Sequence, residues 1–382
     1  MAFNQSILAD KLIRYREQFK LSISELADAT GINANEIKDF ENGKKIPSGD
    51  QILIIADFYK CDYKFFISNE KLAPFEQTET LFRKYGDQFS TKDRWAVQEI
   101  LFLAECESFL QNLLTPKSIN NFNFTKTGTN FKNQGADCAK LLRKHIGYSF
   151  NQVPMDIYQD FRSIGVHIFR RKLENSNISG LYIKHPTSGS CILVNYNEDI
   201  YRQRFTAAHE TGHAILDKEE DFVVSFAKWE KKDLVEIRAN KFASNYLMPP
   251  EFLQSIPNAS EWNENKIIIW ANKLKVSVEA LSYSLRSCNL IDAITFNSIK
   301  KCRVKKEDKV DAELSGGFSQ REIERKSRLL EHGLSTSYVT RCFEAYHNNI
   351  ISLSRMAEMF LTNEHDLSEI AQLYGQELRY GC

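Results

Sequence analysis

The chain has 382 residues, of which 42% are hydrophobic and 26% are charged, and its 50 basic and 50 acidic side chains cancel. This length predicts more than one domain, and the composition is typical of folded globular proteins. Zero net charge argues against a polyanion-binding surface over the whole molecule, although a local one stays open. No signal-peptide pattern and no apolar run near 18 residues argue against secretion and membrane spanning, and eight scattered cysteines favour the cytoplasm.

The N-terminal region reads as a series of short amphipathic helices. Ser22 followed by Glu25 is a capping-box pattern, and Gly31 ends the second helix before a tight turn into the third. Helix, glycine-containing turn, helix is the arrangement of DNA-binding helix-turn-helix domains. The pattern L-S-x-x-E-L-A-x-x-x-G-I, continued by F-E-N-G-K-K-I-P-S, resembles the Cro/repressor-type family. This resemblance implies a five-helix domain over residues 1–68.

The charge of this region leaves its binding partner open. Residues 1–70 contain nine Lys or Arg against eleven Asp or Glu, and the expected recognition helix carries Glu36 and Asp39. Double-stranded DNA favours a basic surface, so dimerisation or the holding of another repressor is an alternative to DNA binding. If the domain does bind DNA, we expect the contacts to come from Asn33, Asn35, Lys38, Lys44 and Lys45.

A connector is expected over residues 69–134. Residues 96–105 are strongly apolar with helical periodicity, which is typical of a core or dimer helix, and a homodimer is left open. Residues 117–134 are rich in Asn, Thr, Lys and Gly and show no periodicity. We interpret them as the linker to a second folded unit, which begins near residue 135.

Three β-rich runs occur early in the second unit, at residues 166–169, 180–183 and 191–195. Residues 186–189 between the last two have the chemistry of a turn. We therefore predict a small antiparallel, three-stranded sheet that leads directly into the next helix, near residues 204–216.

That helix contains the motif H-E-x-x-H. His209 and His213 are four residues apart, so they project from one helix face and can reach a single metal ion. Glu210 is placed to act on a water molecule without being a ligand. Gly212 is expected to leave space beside the metal. This is the arrangement of a zinc hydrolase; the alternative is a core helix with two structural histidines.

Two longer stretches carry a family resemblance. Residues 202–213 read R-Q-R-F-T-x-A-H-E-x-G-H, and residues 239–249 read A-N-x-F-A-x-x-x-L-M-P. Together they resemble the ImmA/IrrE metallopeptidases. The resemblance implies a zincin-like peptidase domain over residues 135–290, a Zn²⁺ cofactor, and a protein substrate that is commonly a transcriptional repressor.

A catalytic zinc site usually has three protein ligands. Glutamate on a second helix is the third ligand in the gluzincin pattern, and Glu236 followed by Asn240 has that form. We expect Glu236 to bind the metal and Asn240 to orient a histidine, with a surface amide as the alternative for Asn240. Asp233 is the fallback ligand.

The remaining expectations concern catalysis. Glu210 is predicted to be the general base, and residues 191–195 to be the sheet edge to which a peptide adds as a strand. Tyr246 is a candidate for oxyanion stabilisation, although a packed tyrosine is favoured. Residues 217–232, which include Trp229, are interpreted as a surface loop, with a substrate-side flap as the alternative.

Residues 291–382 are predicted to be mainly helical, with a solvated basic run at residues 300–306. The fold class is therefore α+β and mostly helical. The predicted function is that of a cytoplasmic zinc endopeptidase in regulated proteolysis. The alternative is a DNA-binding regulator or antitoxin-like binding module whose metal site is structural or inactive.

Overall fold

The computed structural model describes residues 4–69, 76–114, 122–226, 233–314 and 317–379. Within these ranges the chain is mostly helical and contains one small sheet, which confirms the predicted α+β class. No helix within these ranges is long and apolar enough to cross a membrane. The cysteines within them are free thiols.

The N-terminal region folds into five helices, as predicted. The capping box of Ser22 and Glu25 forms at the start of the second helix, and Gly31 ends that helix with a left-handed φ of 70°. The apolar side chains of all five helices meet in one core. These helices are α1 (Gln5–Gln18), α2 (Ile23–Thr30), α3 (Ala34–Glu41), α4 (Gly49–Phe58) and α5 (Lys64–Ile67).

Two helices follow, α6 (Glu76–Tyr85) and α7 (Thr91–Leu114). The first turn of α7 is bound to the N-terminal helices, because the ring of Trp95 stacks on Phe19 with a centroid distance of 4.1 Å. Most apolar residues along the rest of α7 are buried, and Phe109 and Leu113 near its end are exposed. The predicted core helix therefore exists, and the N-terminal region packs directly against it.

The next region contains the sheet and the metal-motif helix. The predicted boundary at residues 134/135 falls inside its first helix, which begins at Phe131, and residues 117–121 of the predicted linker lie outside the described residues. The elements are α8 (Phe131–Ile146), α9 (Ile157–Ser163), β1 (His167–Arg171), β2 (Ile178–His185), β3 (Gly189–Asn195), α10 (Ile200–Leu216), β4 (Phe222–Phe226) and α11 (Leu234–Leu247).

The sheet differs from the prediction in three respects. It has four strands in the order β1-β3-β2-β4, so the three-stranded count was wrong. It is mixed rather than antiparallel, because β1 pairs with β3 in parallel. The strand expected at the edge, β3, lies inside the sheet, and β4 is the edge strand beside β2. The missed strand has only five residues and pairs with a strand distant in sequence, which periodicity along the chain does not reveal.

Each face of the sheet packs against helices. Tyr182, Ile192 and Val194 point to the side of α10, where they join the core formed with α8, α9 and α11. Leu181 and Leu193 point to the other side, where α7 covers them. Alternate side chains along β2 and β3 therefore belong to two different cores, and α7 contributes to one of them.

The C-terminal part is helical, as predicted, and it also contacts the sheet. The backbone of Lys172, just after β1, donates a hydrogen bond to the carbonyl of Glu331. Lys301, Arg303, Lys305 and Lys306 of the basic run are exposed. The helices are α12 (Pro250–Ser255), α13 (Glu264–Leu274), α14 (Val278–Ser287), α15 (Ala293–Ile299), α16 (Gln320–Glu331), α17 (Thr336–His347), α18 (Leu353–Met359) and α19 (Leu367–Leu373).

Candidate active site

The motif helix α10 is buried along its C-terminal half. His209, Glu210 and His213 each have no exposed surface. The two histidines lie one turn apart, and their Nε2 atoms are 3.0 Å apart. Two Nε2 atoms at this separation can both bind one metal ion.

Glu236 on α11 is the third group at this point. One of its carboxylate oxygens lies 3.2 Å from Nε2 of His209, and the other lies 3.4 Å from Nε2 of His213. Burial opposes its ionisation, but its hydrogen bonds with the two histidines hold the pKa of Glu236 well below its usual range. Asp233, the fallback ligand, instead caps α11 by accepting a hydrogen bond from the backbone of Val235.

The donor set fits a zinc ion. Zinc bonds of about 2.0–2.2 Å in a tetrahedral site place neighbouring ligand atoms about 3.3–3.6 Å apart. The three observed separations, 3.0, 3.2 and 3.4 Å, lie within a few tenths of an ångström of that range. Among the described residues, His209, His213 and Glu236 form the one cluster of three such side chains with metal-binding spacing.

Glycines allow the two ligand helices to approach closely. A Cβ at residue 212 would lie 3.1 Å from the ring of Phe242 and 3.3 Å from Cα of Ala239, both on α11. Gly212 therefore makes room for the neighbouring helix, and the expectation that it leaves space beside the metal was wrong. Gly135 of α8 lets that helix approach α11 in the same way, because a Cβ there would lie 2.3 Å from the carbonyl oxygen of Arg238.

Glu210 lies beneath β2 and β4. Among the described residues, neither of its carboxylate oxygens has a well-formed hydrogen bond. Burial raises the pKa of Glu210 to about 8, although His213 and the hydroxyl of Ser225 act in the opposite direction. A buried carboxylate that lacks strong partners and has a pKa near neutrality can both accept and return a proton.

The side chain of Asn240 contacts His209. Burial lowers the pKa of His209 to about 4, and the side chain of Asn240 acts against this shift by hydrogen bonding. Asn240 therefore lies beside His209, and its role in orienting that histidine stays a prediction.

Asp217, which the sequence analysis did not assign, contacts the other histidine. Oδ2 of Asp217 lies 2.8 Å from Nδ1 of His213. Asp217 follows His213 by four residues, so the rule that placed the two histidines on one face could also have identified this contact. It was missed because residues 217–232 were interpreted as a loop.

Comparisons with known proteins agree with this geometry. Residues 161–286 match the peptidase model described as the IrrE N-terminal-like domain, and residues 12–66 match a helix-turn-helix model. The chain therefore combines a helix-turn-helix domain with an IrrE-type peptidase domain. Metallopeptidase ImmA of Bacillus subtilis (strain 168) is 28% identical over 109 residues, which cover 28% of this chain and 63% of that protein.

Within the IrrE-type domain, Tyr246 is not directed at the metal cluster. Its hydroxyl donates a hydrogen bond of 2.8 Å to Asp160, and its ring packs between Phe161 and Phe242. The hydroxyl of Tyr148 binds the same carboxylate. Tyr246 is therefore a packed residue, which was the favoured interpretation.

In the helix-turn-helix domain, the candidate DNA contacts lie on the surface. The side chain of Asn33 caps α3 by accepting a hydrogen bond of 2.9 Å from the backbone of Asn35. Lys45 forms an ion pair with Glu36. Asn33 and Lys45, two of the side chains expected to contact DNA, therefore have partners within the domain. All five candidates are exposed: Asn33, Asn35, Lys38, Lys44 and Lys45.

Proposed function

We propose that the chain is a zinc-dependent endopeptidase that acts in regulated proteolysis in the cytoplasm. The observation that carries this proposal is the triangle formed by the buried His209 and His213 and the partly buried Glu236, with Glu210 beside it. The match of residues 161–286 to a peptidase model supports it. A structural zinc site usually has four protein ligands, whereas three leave a position for the reacting groups.

His209, His213 and Glu236 would hold the metal. When bound there, zinc would polarise the scissile carbonyl and lower the pKa of a water molecule. Glu210 has the role of general base: its carboxylate takes a proton from the attacking water and gives it to the leaving amine. Burial raises the pKa of Glu210 to about 8 in the metal-free protein, and the charge of a bound zinc ion would act in the opposite direction.

The peptide substrate is proposed to add to β4. This strand is at the edge of the sheet, and it pairs only with β2 within the described part of the chain. Ser225 of β4 pairs with Gly180 of β2, and Ser225 also interacts with Glu210. A strand added along β4 would therefore have its backbone held beside the catalytic carboxylate. Residues 227–232, which include Trp229 of the segment interpreted as a surface loop or, alternatively, a substrate-side flap, lie outside the described residues.

The proposed substrate is a regulatory protein, in particular a transcriptional repressor. This class comes from the family resemblance, and the relative named Metallopeptidase ImmA shares 28% identity over the matched region. That match spans 63% of the relative's length, so the comparison does not establish a substrate for this chain, and the repressor substrate is proposed.

The function is tested by zinc analysis and a cleavage assay. The full-length protein is expected to bind one zinc ion per chain and to cleave the repressor encoded beside its gene, and a chelator is expected to stop cleavage. Glu210→Gln should retain zinc and lose activity by about 10³-fold or more, because the general base is removed. Glu220→Gln, an exposed glutamate after α10, is the matched control and should remain active. Protein that cannot be loaded with zinc would refute the proposal.

A second candidate function is DNA-binding regulation, favoured by the helix-turn-helix match over residues 12–66. In that case the metal site would be structural or inactive, and the chain would act as a binding module. Specific binding of double-stranded DNA that is unchanged in Glu210→Gln, together with no cleavage by the wild type, would favour this alternative.

A further inference from the structure

A buried ion pair connects the two helices that carry the metal-ligand candidates. Asp217 ends α10, four residues after His213, and Arg238 lies on α11, two residues after Glu236. The carboxylate of Asp217 forms an ion pair with Arg238. Both side chains are nearly inaccessible, with residue exposures of 3% and 5%.

The two oxygens of Asp217 have different partners. Oδ2 lies 2.8 Å from Nδ1 of His213, and Oδ1 contacts the guanidinium of Arg238. A carboxylate in this position accepts the proton of Nδ1, which leaves the lone pair of Nε2 free for a metal. The Nε2 atom of His213 faces His209 and Glu236, as this arrangement requires.

Arg238 is itself held by α8. Its Nη1 donates a hydrogen bond of 3.0 Å to the side-chain carbonyl of Gln134, and its guanidinium lies 4.8 Å from the ring centre of Phe131. Arg238 therefore has little freedom to move away from Asp217. A buried ion pair is costly to desolvate and contributes little net stability by itself, so its position beside the metal cluster points to a role in the site.

We propose that Asp217 and Arg238 are positioning residues that fix the His213 ring and keep α11, and hence Glu236, at the distance needed to bind the metal. This inference rests on the proposed zinc site. It predicts that removing the charge of Asp217 weakens metal binding, because His213 becomes a poorer ligand and the tie between α10 and α11 is lost.

The test is zinc affinity of the full-length protein, measured by competition with a chromophoric chelator. Asp217→Asn preserves the side-chain volume, and we expect it to bind zinc about 10–100-fold more weakly than the wild type. Glu220→Gln, three residues further along and exposed, is the control and should bind as tightly as the wild type.

The visible spectrum of the cobalt-substituted protein reports on the metal ligands. Loss of an ion pair that only stabilises the fold would leave this spectrum unchanged. We expect the visible absorption of the Co²⁺-loaded Asp217→Asn protein to differ in intensity and position from that of the wild type, because the His213 ring is no longer fixed. Equal zinc affinity within about twofold and an unchanged cobalt spectrum would overturn the proposal.

Two outcomes separate this inference from the proposed function. If the wild type binds no zinc, both fail; if the wild type binds one equivalent and Asp217→Asn binds it equally well, only the positioning role fails. Should metal-free Asp217→Asn not fold, Arg238→Lys decides the question. It keeps the charge but loses the second donor group, so a severalfold weaker zinc affinity supports the proposal and wild-type affinity overturns it.

Discussion

Gly180 of β2 lies directly over Glu210 of α10. A Cβ at residue 180 would lie 2.8 Å from Oε1 of Glu210 and 2.6 Å from Cγ2 of Thr206. Both distances are shorter than a carbon atom normally tolerates, so the absence of a side chain at residue 180 is what allows the sheet to cover the Glu210 carboxylate. The sheet and the motif helix thus meet at the residue proposed as the base.

We predict that Gly180→Ala displaces Glu210 and reduces peptidase activity by at least tenfold, while the protein still binds zinc. Overpacking of this kind typically costs about 1–3 kcal/mol of stability. Cleavage rate, zinc content and thermal melting measure the three effects. Gly49→Ala is the control, because a Cβ at residue 49 meets no atom within 4 Å. Full activity in Gly180→Ala would show that the contact is not required.

Glu210 is also predicted to destabilise the metal-free protein at neutral and alkaline pH. Its pKa rises from an ordinary 4.5 to about 8 on folding. A raised folded pKa means that the group favours the folded state fully below pH 4.5, and that this contribution is lost as the pH rises through 8.

Metal-free Glu210→Gln, which cannot ionise at this position, should therefore melt several degrees above the metal-free wild type at pH 8, with little difference at pH 5. Melting curves of chelator-treated protein across this pH range measure the difference. A gap of the same size at both pH values would contradict the assigned cause. Metal-free Glu220→Gln should melt at the same temperature as the metal-free wild type at both pH values.

Glu107 of α7 is the centre of a second buried charge cluster, far along the chain from the metal motif. It has no exposed surface, and its Oε2 lies 2.7 Å from Nδ1 of His167 on β1. Burial acts to raise the pKa of Glu107, but His167, Arg162 and Arg341 together lower it below its usual value. These partners come from the sheet region and from the C-terminal helices.

We predict that Glu107→Ala destabilises the protein by about 3–5 kcal/mol, because it leaves buried positive charges without their partner. A lowered folded pKa contributes stability above pH 4.5, and this is lost as the pH falls through the folded value. Denaturant unfolding at pH 7 and at pH 4 checks both statements: the difference between wild type and Glu107→Ala should shrink at the lower pH. Glu279→Ala, an exposed helix residue, should change stability little.

The helix-turn-helix domain offers a test of DNA binding through charge. Lys44 is exposed, and Lys45 forms an ion pair with Glu36 on α3. If the domain binds DNA, Lys44→Ala should weaken binding to all sequences and reduce the salt slope of the affinity by about 1. Glu36→Gln should strengthen binding, because it releases Lys45 and removes a negative charge from α3.

Binding isotherms on double-stranded DNA at several salt concentrations distinguish these changes. Lys20→Ala, an exposed residue just after α1, serves as a control for net charge. If neither Lys44→Ala nor Glu36→Gln alters DNA affinity, the surface around α3 is not the DNA contact, and a protein partner becomes the better interpretation.

Local sequence patterns were sufficient for the parts of this protein that depend on residues close together in the chain. His209 and His213 are four residues apart, and helix geometry therefore places them on one face. The capping box at Ser22 follows from the chemistry of helix ends. The form of the segment around Glu236 predicted that this residue would join the two histidines, and the structure brings all three together.

Only the tertiary structure decided which distant segments meet. β4 pairs with β2, which lies about 40 residues earlier in the chain, and Gly212 faces α11 rather than the metal. Both arrangements depend on a neighbour that is remote in sequence. The same is true of Gly180 over Glu210 and of Arg238 against Asp217. Helix and strand periods report how one segment is solvated, but they contain no information on which partner buries it, so the surroundings of the candidate site were determined by packing.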